Sequence, residues 1–279
     1  MNQHYPKISI VTPSFNQAQF LERTICSVLD QGYPNLEYII IDGGSTDGSV
    51  EIIRKYASRL AYWVSEHDRG QSHAINKGLQ RATGEWVGWQ NSDDIFYPGA
   101  FASLAQEAAR RPHIDLIIGN MNLIDADDMV LRDLKYVHPT YRSILAEGMM
   151  LTNQAAFWKR HLHDEIGFLD ESLHYGFDYE WFLRLLQVKR AAHVNETWGG
   201  LRLHESTKTS NMQQLFDSEY GQILQGRQVS SVTKRAYQIR RLILLLGQGH
   251  VKYVLRGIVK RSFAGLRKFV RLRILHSSL

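Results

Sequence analysis

The sequence predicts an α/β protein built on a mainly parallel sheet with helices on both faces. From Lys7 to about Leu116, short apolar runs alternate with amphipathic stretches. The runs have strand length and the stretches have helix length. Glycines and polar side chains gather directly after the runs, at Pro13–Asn16, Asp42–Ser49, Glu66–Gly70 and Asn91–Asp94. Strand–helix alternation at these lengths implies right-handed crossovers between parallel strands. In open sheets of that kind, ligands bind beyond the carboxyl ends of the strands.

In chain order, Lys7–Thr12 (KISIVT) reads as a buried strand, Ala18–Asp30 as a helix and Glu37–Asp42 (EYIIID) as a second strand. Thr46–Ala57 reads as a helix, Leu60–Val64 as a third strand, Gln71–Ala82 as a helix and Glu85–Trp89 as a fourth strand. Pro98–Arg110 and Ile114–Ile118 continue the series. After about Asn120 the alternation stops. Met121–Lys135 reads as a hairpin turning at Asp127-Asp128, followed by a loop through Pro139 and a mixed stretch to about Asn211. A main domain of residues 1–225 and a basic helical tail of residues 226–279 are expected.

Composition narrows the classes. Of 279 residues, 44% are hydrophobic and 22% charged, which suits a folded chain and excludes disorder. Cys26 is the single cysteine, so an internal disulfide and a cysteine-based zinc cluster are excluded, and a reducing compartment is expected. Met1–Tyr5 and Pro6 form no signal-like apolar run, and no stretch of about 18 apolar residues occurs.

Charge is unevenly spread. Glu219 is the last acidic residue, and thirteen of the 33 basic residues follow it. The remainder holds 20 basic and 28 acidic residues, a net charge of −8. Val251, Val254, Leu255, Ile258, Val259, Leu266, Phe269 and Val270 recur near helical spacing among lysines and arginines. A basic amphipathic tail of this type suits an anionic membrane surface; a helical hairpin packed on the main domain is the alternative. No zinc-finger spacing or RNP-like strand supports a nucleic-acid partner.

The strand-end residues carry the chemistry. Neither Gly-x-Gly-x-x-Gly nor Gly-x-x-x-x-Gly-Lys-Ser/Thr is present, which disfavours dinucleotide oxidoreductases and P-loop NTPases. Asp42 opens the turn Gly-Gly-Ser-Thr-Asp-Gly-Ser, where a carboxylate either accepts hydrogen bonds from a nucleobase or ribose, or caps the next helix. Ligand contact is preferred for Asp42 and capping for Asp47. In Asn91-Ser92-Asp93-Asp94, adjacent carboxylates require compensation by a cation or hydrogen bonds, and oxygen donors suit Mg²⁺ or Mn²⁺; a solvated surface turn is the alternative.

Taken in order, Ile-Ser-Ile-Val-Thr-Pro-Ser-Phe-Asn, Tyr-Ile-Ile-Ile-Asp-Gly-Gly-Ser-Thr-Asp-Gly-Ser, Ser-Glu-His-Asp-Arg-Gly-Gln-Ser-His-Ala-Ile-Asn-Lys-Gly and Trp-Gln-Asn-Ser-Asp-Asp resemble the family 2 glycosyltransferases of GT-A fold. The resemblance spans about Lys7 to Ser210. It implies a mixed, mainly parallel sheet and an inverting transfer of a hexose-type sugar from a UDP-, GDP- or dTDP-sugar to an acceptor hydroxyl.

The family's roles carry over where residues match. Pro13 and Asn16 resemble the first-strand loop against the nucleotide, and Asp42 the carboxylate that reads the base. Asp68 is similar to the acid lining the nucleotide pocket, with Asn76 and Lys77 on the helix beyond. Asp93 and Asp94 resemble the end of the metal-binding Asp-x-Asp motif. Asn91 stands where many members have the first aspartate, and an amide there bonds ribose or a metal-bound water.

Further along, Gly176-Phe177-Asp178-Tyr179-Glu180 resembles the family's acidic segment opening a helix. Asp178 is the implied general base and Glu180 the fallback, with helix capping the alternative role for Asp178. Phe177 replaces the first of two acids often found there. Leu201-Arg202-Leu203-His204 with Ser206 and Lys208 resembles the closing Arg-x-His segment. It implies His204 as a metal or diphosphate ligand and Lys208 as a neutralising cation. His73, Trp89 and Gln154 are read as structural, although Gln154 matches a stretch near the acceptor pocket of relatives.

The combined expectation is a cytoplasmic glycosyltransferase, peripheral on the inner face of the cell membrane, with a lipid-linked saccharide acceptor of envelope polysaccharide synthesis. A GT-A nucleotidyltransferase is disfavoured, because Thr12–Asn16 replaces the expected glycine- and Arg/Lys-rich loop. A catalytically inactive, membrane-associated scaffold that binds sugar nucleotides is the rival from another class.

Overall fold

The computed structural model describes residues 5–204 and 213–257, the side chains of 213–217 excepted. The tail residues 258–279, with five of the eight apolar residues expected to face a membrane, lie outside the described residues, as do Ser206 and Lys208. The chain divides into two compact units, Met1–Val229 and Ser230–Leu279.

The first unit is one mixed sheet with helices. Strands β1 (Ile8–Ser14), β2 (Leu36–Asp42), β3 (Tyr62–Ser65) and β4 (Trp86–Trp89) are parallel. They alternate with α1 (Ala18–Leu29), α2 (Ser49–Tyr56) and α3 (Gln71–Arg81). All seven residues of β1 are buried, as are six of seven in β2. Continuous apolar burial is what a strand covered on both faces requires. Register aligns the carboxyl ends, since Ser14 lies opposite Asp42 and Asp42 opposite Ser65. Three of the polar loops singled out from the sequence therefore leave the sheet at one edge.

The second half adds β5 (Ile95–Phe96), α4 (Ala100–Arg110), β6 (Leu116–Ile124), β7 (Val130–Leu134), α5 (Tyr141–Glu147), β8 (Ala156–Lys159), α6 (Leu162–Ile166), α7 (Phe177–Val188), β9 (Ala191–Arg202) and α8 (Gln213–Ile223). Sheet order is β3-β2-β1-β4-β8-β6-β9-β5, with β7 paired to β6. Strand β8 runs antiparallel to both β4 and β6, and β9 is parallel to β6.

Two sequence expectations change here. Ile114–Ile118 and the hairpin from Met121 are parts of one strand, β6, which pairs with β7 around a turn where Asp128 has φ 68°. Gly119-Asn120 looked like a break. Instead, a Cβ at Gly119 would strike Trp198, and Asn120 is satisfied by Tyr136 N–H and the side chains of Asn195 and His193. The mixed stretch also holds the twelve-residue strand β9.

Packing explains the stiffness around the strand ends. Trp89, Trp158, Trp181 and Phe182 interlock, with ring centroids 4.7 to 6.2 Å apart. At the opposite end of the sheet, buried Glu37 accepts hydrogen bonds from Lys7 Nζ (2.6 Å), Ser9 Oγ (2.5 Å), Thr83 N (2.7 Å) and Thr83 Oγ1 (2.7 Å). Burial alone would raise its pKa, but these donors outweigh it and bring it down to about 2.

In the second unit, α9 (Ser231–Gly247) starts at Ser230, whose hydroxyl accepts from Thr233 N–H at 3.1 Å. Residues 251–257 are also helical. Among the described residues, no helix is long and apolar enough to cross a membrane.

Candidate active site

A cavity of about 610 Å³ opens over the carboxyl ends of β1, β2 and β4. Pro13, Asp68, Asn91, Asp93, Asp94 and Asp178 line it. Asn16, Asp42, Asn76, Lys77 and His204 do not, and each is engaged elsewhere.

Asp42 is fully buried and organises its own turn. It accepts from Gly44 N (3.1 Å), Ser45 N (2.9 Å), Ser45 Oγ (2.6 Å) and Ser65 Oγ (2.7 Å). Those bonds tie its carboxylate to the turn, and Asp42 is not among the residues lining the cavity. Asn16, at φ 50°, accepts from Thr46 N at 2.9 Å and holds the β1 loop against the β2 turn. Asp47 takes the expected capping role, accepting from Ala18 N at 2.8 Å and Ser49 N at 3.0 Å.

Asn76 is buried and bridges α3 to the second half of the chain through Leu169 O (2.9 Å), Leu169 N (3.1 Å) and Glu171 (3.0 Å). Lys77 pairs with Glu66. Neither is among the residues lining the cavity; their bonds tie α3 to the segments around it. Asp68 does reach it, accepting from Gly70 N at 2.8 Å. Gly43 makes room for that carboxylate, since a Cβ there would lie 2.5 Å from Asp68 Oδ2 and 3.3 Å from the Phe15 ring.

The loop after β4 holds the densest charge. Asp94 is buried, and its carboxylate accepts from Arg202 N (2.8 Å), Asn91 Nδ2 (2.9 Å) and Gln154 Nε2 (2.7 Å). Gln71 Nε2 donates to Asn91 Oδ1 at 2.9 Å, which fixes the amide. Burial and the adjacent Asp93 carboxylate push the Asp94 pKa upward against those donors. An aspartate at position 91 would place another anion against Asp94, so Asn91 is the residue that this arrangement requires.

Asp93 Oδ2 lies 3.0 Å from His204 Nε2. Arg202 Nε donates to Asp93 O at 2.7 Å, and its guanidinium sits 5.0 Å from the Phe20 ring centroid while pairing with Asp128. Arg202 is the last residue of β9, and His204 follows it two residues on. Among the described residues no group of three or more His, Cys, Asp or Glu side chains forms a metal cage. Asp93 and His204 are two donors of the types that divalent cations take when substrate phosphates and water supply the rest of the shell. Asp94 lies beside them and accepts from three donors.

Across the cavity, Asp178 occupies the first turn of α7 and accepts from Tyr179 N at 2.7 Å. Burial raises its pKa to about 6. Phe177 is buried against Trp89, with ring centroids 6.4 Å apart, and so replaces an acid with part of the apolar wall. Glu180 pairs with Arg184 at 2.7 Å and does not line the cavity, which removes it as a fallback base.

Gln71 and Arg202 lie in motifs legible in the sequence but had no role assigned there, and Trp89 and Gln154 read as structural; all four line the cavity, Trp89 while buried. The signal for Gln154 was a polar residue entering the apolar run Ala-Ala-Phe-Trp. Tyr175 and Tyr220, which also line the site, gave no comparable signal.

The site is a cleft at the carboxyl edge of the sheet, lined by carboxylates, amides and aromatic rings. Residues 9–166 match the model of glycosyl transferase family 2, and the chain belongs to that family. A glycosyltransferase of Rickettsia typhi is 28% identical over 222 residues, covering 75% of this chain and 68% of the relative. The putative teichuronic acid biosynthesis glycosyltransferase TuaG of Bacillus subtilis is 40% identical over 97 residues, covering 34% of this chain and 38% of its own.

Among solved structures, S. aureus TarS 1–349 in complex with UDP-GlcNAc is similar with a TM-score of 0.65 at 18% identity, over 78% of this chain and 65% of TarS. The mannosyltransferase PcManGT from Pyrobaculum calidifontis, in complex with GDP-Man and Mn²⁺, has a TM-score of 0.59 at 18% identity, over 94% of this chain and 81% of its own. At those identities the likeness concerns the fold. It is the GT-A glycosyltransferase fold, and the chain is a glycosyltransferase.

Proposed function

We propose that the enzyme transfers a sugar from a nucleotide-diphosphate donor to an acceptor hydroxyl with inversion, and that Asp178 is the base. The observation that carries this is one cavity with the Asn91–Asp94 carboxylate loop and a raised-pKa aspartate on its walls. Pro13, Gly43 and Asp68 form the nucleotide side. Asp93 and His204 would hold a Mg²⁺ or Mn²⁺ ion, whose charge offsets that of the departing diphosphate.

Asp178 accepts the acceptor's proton as the acceptor oxygen bonds to the anomeric carbon, and the bond to the diphosphate breaks on the opposite face. A pKa near 6 keeps the carboxylate largely ionised at neutral pH while making it a stronger base than an exposed aspartate. The buried Phe177 ring supports that shift, because it lines the start of the helix with apolar surface that keeps water from the carboxylate.

Supporting the donor class are the sugar nucleotides bound in TarS and PcManGT. The naming of TuaG for teichuronic acid biosynthesis supports a saccharide acceptor of envelope polysaccharide type, and a lipid carrier for it is part of the same proposal. Helix α9 supports location at the inner membrane face. It exposes Val232, Ile239, Ile243 and Leu246 and carries Lys234, Arg235, Arg240 and Arg241.

The reading is tested by incubating UDP-GlcNAc and GDP-mannose with candidate lipid-linked saccharides and Mn²⁺, and determining the product anomer by NMR. Inversion in wild type with loss in Asp178→Asn supports it. A retained anomeric configuration, or full turnover in Asp178→Asn, refutes it.

A further inference from the structure

The start of α7 has a gap that the sequence of the helix does not fill. Its N-cap is Gly176, which has no side chain to accept the amides at that end. Glu219, on α8, binds the turn that leads into that end. Its carboxylate accepts from His174 N (2.9 Å), Tyr175 N (2.8 Å) and Gly176 N (2.8 Å), three consecutive amides immediately before the helix that bears Asp178.

Two packing contacts hold α8 in that place. Tyr220 stacks on Tyr179 with ring centroids 4.5 Å apart at 8°. Ile223 Cδ1 lies over Gly176, 2.6 Å from where a Cβ would stand, so α8 packs directly on the turn. Burial alone would raise the Glu219 pKa, but the three amides hold it below the ordinary glutamate range, so the acceptor stays charged.

We propose that Glu219 is a positioning residue for transfer: by occupying the amides of residues 174–176, it leaves the Asp178 carboxylate facing the cavity. Without it the turn leading into α7 loses its acceptor, and the Asp178 carboxylate, one residue into that helix start, loses its fixed distance to an acceptor hydroxyl. The inference rests on Asp178 being the base. It predicts that Glu219 affects turnover and leaves donor affinity alone.

The test uses the full chain as wild type, Glu219→Ala, Glu219→Gln and Asp178→Asn. Amide hydrogen exchange is measured, together with nucleotide affinity and nucleoside diphosphate release from UDP-GlcNAc or GDP-mannose with Mn²⁺. In Glu219→Ala, exchange at residues 174–178 should quicken at least tenfold while β1 and β2 stay protected. Release should fall at least tenfold, with the nucleotide Kd within twofold of wild type. Glu219→Gln, which keeps an acceptor oxygen, should lie between.

Unchanged exchange at residues 174–178 in both Glu219 variants overturns the clamp. Unchanged turnover, or turnover and nucleotide affinity falling together, overturns the positioning role. Failure of the underlying reading looks different: Asp178→Asn then keeps wild-type release while the exchange difference in Glu219→Ala persists.

Discussion

Asn91 Nδ2 donates to Asp94 Oδ2 at 2.9 Å, so the residue that departs from the family's acidic motif neutralises part of the carboxylate beside it. Removing that donor from a buried anion costs about 1–3 kcal/mol. Asn91→Ala is therefore expected to lower Tm by several degrees in calorimetry without metal. Asn91→Asp should lower it further, since it replaces a donor with a like charge. A variant aspartate as stable as wild type would show that the amide is not required there.

Asp178 makes the pH dependence specific. With its pKa raised to about 6, it is protonated and inactive as a base below that value. The transfer rate should rise about tenfold per pH unit up to about pH 6 and level off above it. The same shift acts on stability with the opposite sense from a paired carboxylate. A raised folded pKa means that stability declines as pH rises from the ordinary aspartate range to about 6. Asp178→Asn should thus abolish transfer while leaving Tm at neutral pH equal or higher. A lower Tm in the variant would contradict burial as the cause of the shift.

Glu37 behaves in the conventional direction. Its pKa of about 2 in the fold lies well below the unfolded value, so its contribution is present above about pH 4.5 and is lost as pH falls toward 2. The shift corresponds to roughly 3 kcal/mol. Glu37→Gln should lower stability by that order at pH 7 and by little at pH 2.5, as read by urea titration at both pH values. Equal losses at both would point to packing in place of charge.

Much of this was legible in the chain because strands buried on both faces are written as continuous apolar runs. KISIVT and EYIIID marked β1 and β2 within two residues, and the polar residues following them marked the edge where the cavity lies. The second half was less legible. Gly119-Asn120 reads as a break, yet side chains distant in sequence satisfy Asn120 within β6. Side-chain roles were also hidden, since a strand-end aspartate looks alike whether it faces a ligand or, like Asp42, closes its own turn. Asp94 and Asn91 could be picked out by type, but their support from Gln154, Gln71 and Arg202 depends on tertiary pairing.

Helix α9 yields a prediction about membranes. Ile239 and Ile243 are 58% and 63% exposed on a helix that also carries Arg240 and Arg241. Each basic residue near an anionic surface gains about 1 kcal/mol. The full chain should sediment with phosphatidylserine vesicles, less so in high salt, and not with phosphatidylcholine vesicles. Ile239→Asp with Ile243→Asp should weaken this several-fold while nucleotide binding persists. Equal binding to both lipids would argue against the electrostatic part.

The central claim is that the Asp93 side of the cavity receives a nucleoside diphosphate with a divalent cation. It is tested most directly by thermal shift with UDP, GDP, CDP and dTDP, with and without Mn²⁺, on wild type and Asp93→Ala. A ligand at about 100 times its Kd adds about 2.7 kcal/mol of stability, a shift of several degrees. The account predicts a Mn²⁺-dependent rise with one diphosphate in wild type and its loss in Asp93→Ala. No rise with any nucleotide, or an equal rise in both proteins, would contradict it.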